Sequence, residues 1–418
     1  MKADLRICLS VVLLLGSNVL CNAADAKPKL ASSAPQPPIY LIANEDQGFP
    51  FPNQITIFQA SGTNQAPSLT LVGDVLTGGF GSFGGFFGLP RIASTPDANT
   101  NCVYVSNSGD NTISPLLLNT QTFVGTYSGG ATDSGIPDGI GMAVSENYLY
   151  AGYGDSQSIG VFGTSPGCGL TFLQDVPAAG LNGGSPTGIA VHNNILVVSY
   201  GDGSIQSFDV THGIPVPNND LQNSLGFAGP VTGLNNPLGN IPNGVDISQN
   251  GEWAIFGDTS TLSLVEVSSL ISFAHTQLAR TRAFYTLGTS TDAGDVHLSP
   301  DGTLLYAVNN ESGTITASFF NAATGLLTKG CTSPVLRNFN FLPWNGQIMT
   351  RDTTGTGTVL YVAEFGRYID EVTPNSAIGI LTVTVNGNSC TLVESSGSPV
   401  TIPVPGTLSI GVYPPRPY

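Results

Sequence analysis

The sequence predicts an all-β fold: a seven-bladed β-propeller of four-stranded antiparallel blades, its ring closed by the C-terminal strand. Three observations predict it. A short β-rich run ending in a turn recurs along the chain, and each run sits within the same order of flanking strands. In addition, 52 glycines and 29 prolines in 418 residues punctuate the chain too often for long helices.

The recurring runs are IYLIAN (39–44), CVYVSN (102–107), YLYAGYG (148–154), ILVVSYG (195–201), WAIFGD (253–258), LLYAVNN (304–310) and VLYVAEFG (359–366). Their starts lie 63, 46, 47, 58, 51 and 55 residues apart. Spacings of this order with several strands per unit indicate propeller blades. A strand opened by Gly or Pro precedes the runs, as in PDGIGMAVS (137–145), PTGIAVH (186–192), PNGVDIS (242–248) and AGDVHLS (293–299). A polar turn and a third strand follow, as in SIGVFG (158–163), SIQSFDV (204–210), LSLVEVS (262–268) and TITASFF (314–320). A less regular fourth strand, such as TRAFYTLG (281–288), ends the unit. The first unit lacks an opening strand, and the chain ends with a spare one, TLSIGVYP (407–414). Adding that strand to blade one closes the ring and removes exposed sheet edges.

The domain reading has three parts. Lys2 and Arg6 precede an apolar run from Ile7 to Leu15, and small residues follow at Ala23, Ala24 and Ala26. This is the order of a secretory signal peptide, assigned to residues 1–23. Residues 24–38 read as a flexible leader and residues 39–418 as the propeller. No later apolar run reaches the length of a membrane span. The mature chain is therefore expected outside the cytoplasm, secreted or periplasmic, as a monomer.

Four cysteines remain after cleavage, Cys102, Cys168, Cys331 and Cys390, and oxidation allows three pairings. Cys102 and Cys168 fall on the same end of adjacent blades and are the expected pair. Cys331 ends one outer strand and Cys390 opens the next. At about 3.3 Å per residue that places them about 15 Å apart, beyond the reach of a bridge. Neither cysteine nor histidine spacing suggests a metal, and no cofactor is expected. Twelve cations against 28 acids, net charge −16, disfavour nucleic acid and anionic membranes as partners.

VYVSN, LYAVNN followed by SGTITASFF, and LSPDGTLLYAVNN resemble the YVTN-repeat and lactonase-like seven-bladed propellers. The resemblance covers essentially the whole mature chain. It implies the propeller fold and, among the activities of that family, hydrolysis of sugar lactones or lactonisation. The shared motifs are structural repeats, and no catalytic motif of the family transfers residue by residue. Phosphorylated sugar lactones, as cytoplasmic metabolites, are not the expected substrates of a chain with a signal.

In this fold the turn after each second strand and the link into the next blade share one face. Those turns carry Asp46, Asp110, Asp155, Asp202, Asp258, Glu311, Glu364 and Asp370. Ordinary turn chemistry, a carboxylate accepting backbone N–H bonds, is the expected role of most of them. The links are richer: GGFGSFGGFFGLPR (78–91) joins blades one and two, and LRNFNFLPWNG (336–346) joins six and seven. With blade seven's long turn, AEFGRYIDEVTPN (363–375), these segments gather Phe80, Phe83, Phe341, Trp344 and Tyr368 with Arg91, Arg337 and Arg367, three of only eight cations after Pro38. Aromatic faces beside arginines suit a sugar ring, a planar ligand or an anion.

The expected ligand-binding residues are therefore Phe80, Phe83, Arg91, Arg337, Phe341, Trp344 and Tyr368. The expected partner is a small molecule, a glycan or an extracytoplasmic protein. A lactone hydrolase on the same face is the alternative, with Arg367 polarising the carbonyl and Glu364 or Asp370 activating water. A structural repeat protein without a ligand is the second alternative. His297 and Asp246 occupy equivalent opening-strand positions in neighbouring blades and are expected to pair rather than catalyse. GxGxxG at Gly79–Gly84 and GxSxG at Gly163–Gly167 lack the strand–helix setting those motifs need.

Overall fold

The β-branched and aromatic runs all form strands, and the described residues contain no helix. The computed structural model describes residues 38–46, 50–63, 65–82, 90–95, 100–129, 140–180, 183–218, 243–257, 261–266, 281–286, 293–309, 312–337, 345–351, 358–364, 376–402 and 409–415. They belong to one unit, Pro38–Tyr418. The expected signal segment, and the leader up to Pro37, lie outside the described residues.

The strands follow one another in small antiparallel sheets. β1 (Ile39–Asn44), β2 (Pro52–Thr63) and β3 (Ala66–Phe80) meander outward in the first. β4 (Ile92–Ser94), β5 (Cys102–Asn107), β6 (Thr112–Leu117) and β7 (Thr122–Phe123) form the next, and β8 (Tyr127–Ser128) also pairs with β6. Then come β9 (Ile140–Val144), β10 (Tyr148–Tyr153), β11 (Ser158–Thr164) and β12 (Leu170–Pro177). β13 (Pro186–His192), β14 (Ile195–Tyr200), β15 (Ile205–Asp209) and β16 (Val216–Pro217) follow in the same order. So do β17 (Asn243–Ile247), β18 (Trp253–Gly257), β19 (Thr261–Glu266) and β20 (Thr281–Thr286). β21 (Ala293–Leu298), β22 (Leu304–Asn309), β23 (Thr314–Asn321) and β24 (Leu326–Thr332) repeat it. β25 (Asn345–Arg351), β26 (Thr358–Glu364), β27 (Ala377–Asn386) and β28 (Ser389–Glu394) form the last, with β29 (Val400–Thr401) also on β27. β30 (Ser409–Tyr413) returns to the first sheet, antiparallel to β1, with Leu41 opposite Val412 and Ala43 opposite Ile410. The spare C-terminal strand thus supplies the missing opening strand.

The fold is an all-β propeller of small antiparallel sheets. Two sheets depart from the expected four strands, because β8 and β29 each add a short fifth. The second strand of each sheet is apolar through its middle, with polar residues mainly toward its end, because both of its faces are covered. In β26, Val359, Tyr361 and Ala363 pack toward the first sheet, while Leu360 and Val362 pack toward β22 and β23. The core is accordingly divided into layers between neighbouring sheets. One such layer joins Tyr104 and Ile113 to Leu149 and Phe162, and another joins Trp253 and Leu264 to Val296 and Leu305. Each fully buried Val, Leu, Ile or Phe contributes about 1.5–3 kcal/mol.

Cys102 and Cys168 form the expected disulfide, with Cα atoms 5.3 Å apart. Cys331 and Cys390 are also bridged, at 5.5 Å between Cα atoms, which corrects the expectation that they are too far apart. The estimate treated outer strands as parallel to the inner ones. Adjacent strands are rotated by about 20–25°, so the fourth strand of a sheet is turned by about 60–75° from the first. Outer strands then run around the rim, and the end of β24 meets the start of β28.

Candidate ligand-binding face

The sequence repeat has a local cause on this face. Asn107, at the end of β5, donates through Nδ2 to Thr112 Oγ1 at 3.0 Å and to Ser114 Oγ at 2.8 Å. Asn309, at the end of β22, does the same to Thr314 Oγ1 at 3.0 Å and Thr316 Oγ1 at 2.8 Å. The asparagine closing VYVSN and LYAVN therefore bolts the turn after the second strand onto the third strand. In the first of these sheets Asn107 Oδ1 also accepts from Thr77 Oγ1 at 2.6 Å and Asn53 Nδ2 at 3.0 Å, both from the neighbouring sheet.

This network leads to Asp46, which is fully buried at the turn after β1. Its carboxylate accepts from Ser108 Oγ at 2.6 Å, Ser82 Oγ at 3.3 Å, the Ser82 N–H at 3.4 Å and Arg91 Nη1. Arg91 is fully buried too, and donates further to Ser108 Oγ at 3.1 Å. Burial pushes the Asp46 carboxyl above its ordinary range, against the opposing pull of Arg91 and the two serines. Ser82 and Arg91 flank the sequence FGGFFGLP (83–90), so one carboxylate holds the residues on either side of it. Gly81 passes so close to the Asp46 backbone that any Cβ there would collide with it.

Phe80 is half-buried beside this base. Its N–H donates to Asp110 Oδ2 at 3.1 Å, and its carbonyl accepts from Gly109 N at 2.8 Å. Burial raises the Asp110 carboxyl, opposed by bonds from Thr112 and Phe80. Phe80 and Arg91 are thus brought together, but Arg91 faces Asp46 instead of solvent. Arg337 stands elsewhere, with 49% of its side chain exposed. It pairs with Glu394 at 3.4 Å and donates to the Ser398 carbonyl at 2.8 Å and the Ser395 carbonyl at 3.0 Å. Those bonds tie the link after β24 to the sheet holding β27 and β28. Glu364 ends β26 and is only 5% exposed, its carboxylate packed over Gly379. Phe83, Phe341, Trp344, Arg367, Tyr368 and Asp370 lie outside the described residues, as do Asp258 and Glu311.

Turn chemistry accounts for several other carboxylates. Asp202 accepts from Ser204 N at 3.0 Å and Oγ at 2.6 Å, and Asp301 accepts from Thr303 N at 3.1 Å. Among the described residues, no group of three or more His, Cys, Asp or Glu has the arrangement of a metal site.

On the inner strands, His297 approaches Asp246 as expected, but at 3.9 Å from Nδ1 to Oδ2 the two are an ion pair and not the expected hydrogen-bonded pair. The sequence reading missed Asp295, whose Oδ2 lies 3.3 Å from His297 Nε2. Its signal was available, because residues two apart in a strand share a face.

No protein-family model and no curated protein matches the chain. Solved structures do, at identities that speak for the fold alone. A Lactobacillus plantarum protein is 16% identical over 90% of this chain and 99% of its own, with a TM-score of 0.60. A protein from Bacteroides uniformis, described as a candidate 6-phosphogluconolactonase, is 14% identical over 90% of this chain and 100% of its own, TM-score 0.61. A Bacteroides fragilis protein described in the same way is 14% identical over 90% and 98%, TM-score 0.61.

Proposed function

We propose that the chain is an extracytoplasmic, seven-bladed propeller that binds a carbohydrate-like or anionic ligand on the face bearing the second-strand turns. Support for seven blades comes from the innermost strands, where β30, β4, β9, β13, β17, β21 and β25 each lie beside the next and β25 beside β30. The observation that carries the binding reading is the Asp46 clamp. A buried carboxylate bonded to both Ser82 and Arg91 gives the loop between them, with Phe83, Phe86 and Phe87, a fixed base. In this reading Phe83, Phe341, Trp344 and Tyr368 supply stacking faces. Arg367 supplies charge, Phe80 lines the rim, and Arg91 and Arg337 hold the segments that carry them. Titrating the full chain against a glycan panel and a set of organic anions tests it. Replacing Phe83, Trp344 and Arg367 with Ala should weaken the bound ligand at least tenfold. Unchanged affinity in all three variants rejects the site.

A lactone hydrolase on the same face is the second reading, favoured by the candidate lactonases among the structural neighbours. Arg367 would polarise the carbonyl, and Asp370 or Glu364 would activate water. Its substrate class would be unphosphorylated sugar lactones, given the expected export of the chain. No acceleration over spontaneous ring opening across neutral pH removes this reading.

A further inference from the structure

The inner strands of two neighbouring sheets, β17 and β21, are joined by ionisable groups in an otherwise apolar seam. Asp246 on β17 accepts the Ile247 N–H at 2.8 Å through Oδ1. Its Oδ2 accepts the Leu298 N–H of β21, also at 2.8 Å. Asp295 on β21 accepts the Val296 N–H at 2.9 Å through Oδ1 and turns Oδ2 to His297. Side-chain exposure is 5% for Asp246, 3% for Asp295 and 20% for His297. The imidazole therefore has one carboxylate at each ring nitrogen, one from each sheet. Gly244 on β17 makes the approach possible. Its φ is +70°, and a Cβ there would stand 2.7 Å from Asp295 Oδ1.

We propose that Asp246, Asp295 and His297 form a proton-operated latch. Protonated, the imidazole bridges the carboxylates of both inner strands; deprotonated, it leaves two buried carboxylates facing each other across the seam, and the seam loosens. The elements packed against His297 bring few other ionisable groups. β22 places Tyr306 opposite it, a phenol neutral throughout the relevant range, and β18 contributes no charge. β25 brings one charged residue, Arg351, two positions beyond Met349, which pairs with Tyr361 as His297 pairs with Tyr306. Burial raises the Asp295 carboxyl and the neighbouring Asp246 charge adds to that, while His297 opposes it. The net shift of Asp295 is upward, the direction in which the latch would also move the imidazole. A folded state that holds protons more tightly than the unfolded chain is stabilised at low pH and loses that stability as pH rises through its folded-state titration.

The test is an NMR titration of the imidazole resonances of the full chain, with His297 assigned by its loss in His297→Gln. The latch predicts that His297 titrates about one pH unit above the ordinary imidazole value of about 6.5, and that Asp295→Asn and Asp246→Asn bring it down. A His297 midpoint at or below the ordinary value overturns the proposal. Denaturation keeps the test open if the Asn variants do not fold. Between pH 6 and 8.5 the wild-type unfolding constant should rise about tenfold more than that of His297→Gln. Identical pH dependence in the two proteins also overturns it.

Discussion

Replacing Asp46 with Asn isolates the charge of the clamp from its shape. The Asp46 φ is +45°, a left-handed conformation that Asn tolerates and most residues do not. The amide can keep the Ser82 and Ser108 contacts but takes the Asp46 carboxylate away from the fully buried Arg91 guanidinium. Removing one partner of a buried ion pair typically destabilises by about 3–5 kcal/mol. With unfolding entropy of about 2.1 cal/mol/K per residue over roughly 380 residues, that is a fall in Tm of about 4–6 °C. Urea denaturation and differential scanning calorimetry measure both quantities. Adding Arg91→Met removes the buried charge as well, so the double variant should recover more than half of the loss. A loss below about 1 kcal/mol for Asp46→Asn, or a double variant as unstable as the sum of the singles, refutes the account of the clamp.

Two further outcomes are expected. Replacing Cys331 and Cys390 by Ser releases a crosslink between residues 59 apart, worth about 4 kcal/mol by chain entropy, read as a lower urea midpoint under oxidising conditions. Deleting residues 408–418 strips Ile410 and Val412 from the first sheet, where each is buried; at about 1.5–3 kcal/mol apiece, calorimetry should record a lower Tm and light scattering the association of exposed β1 edges.

The propeller class was legible in the sequence because its second strands are buried on both faces, which leaves unbroken runs such as Val359–Ala363 with a polar turn at each end. The spare strand was legible too, since Ser409–Tyr413 has the same pattern with no partner in its own unit. What the sequence concealed depends on contacts between turns far apart in the chain. Arg91 read as a ligand contact because it lies beside phenylalanines; the carboxylate that absorbs it is 45 residues away in another sheet. Cys331 and Cys390 read as remote because a linear strand estimate omits the twist that brings outer strands end to end. His297 and Asp246 were legible from register alone, whereas Asp295 needed the alternation of side chains within β21 to be followed one step further. Of the five aromatic residues expected to bind the ligand, only Phe80 lies among the described residues.

The pairing of β30 with β1 also sets an order of assembly. Tyr40 and Tyr413 face each other across nearly the whole chain, so the first sheet to emerge during synthesis is the last to be finished. Closing a loop of about 370 residues directly would carry an entropic penalty of about 5 kcal/mol, which makes that pairing a poor nucleus. Hairpins within each sheet, separated by only a few residues, are the favourable starting contacts. The intervening sheets stack next and bring the two ends of the chain together. Until then β1 keeps an unpaired edge, and in a crowded solution the C-terminal strand of another copy competes for it.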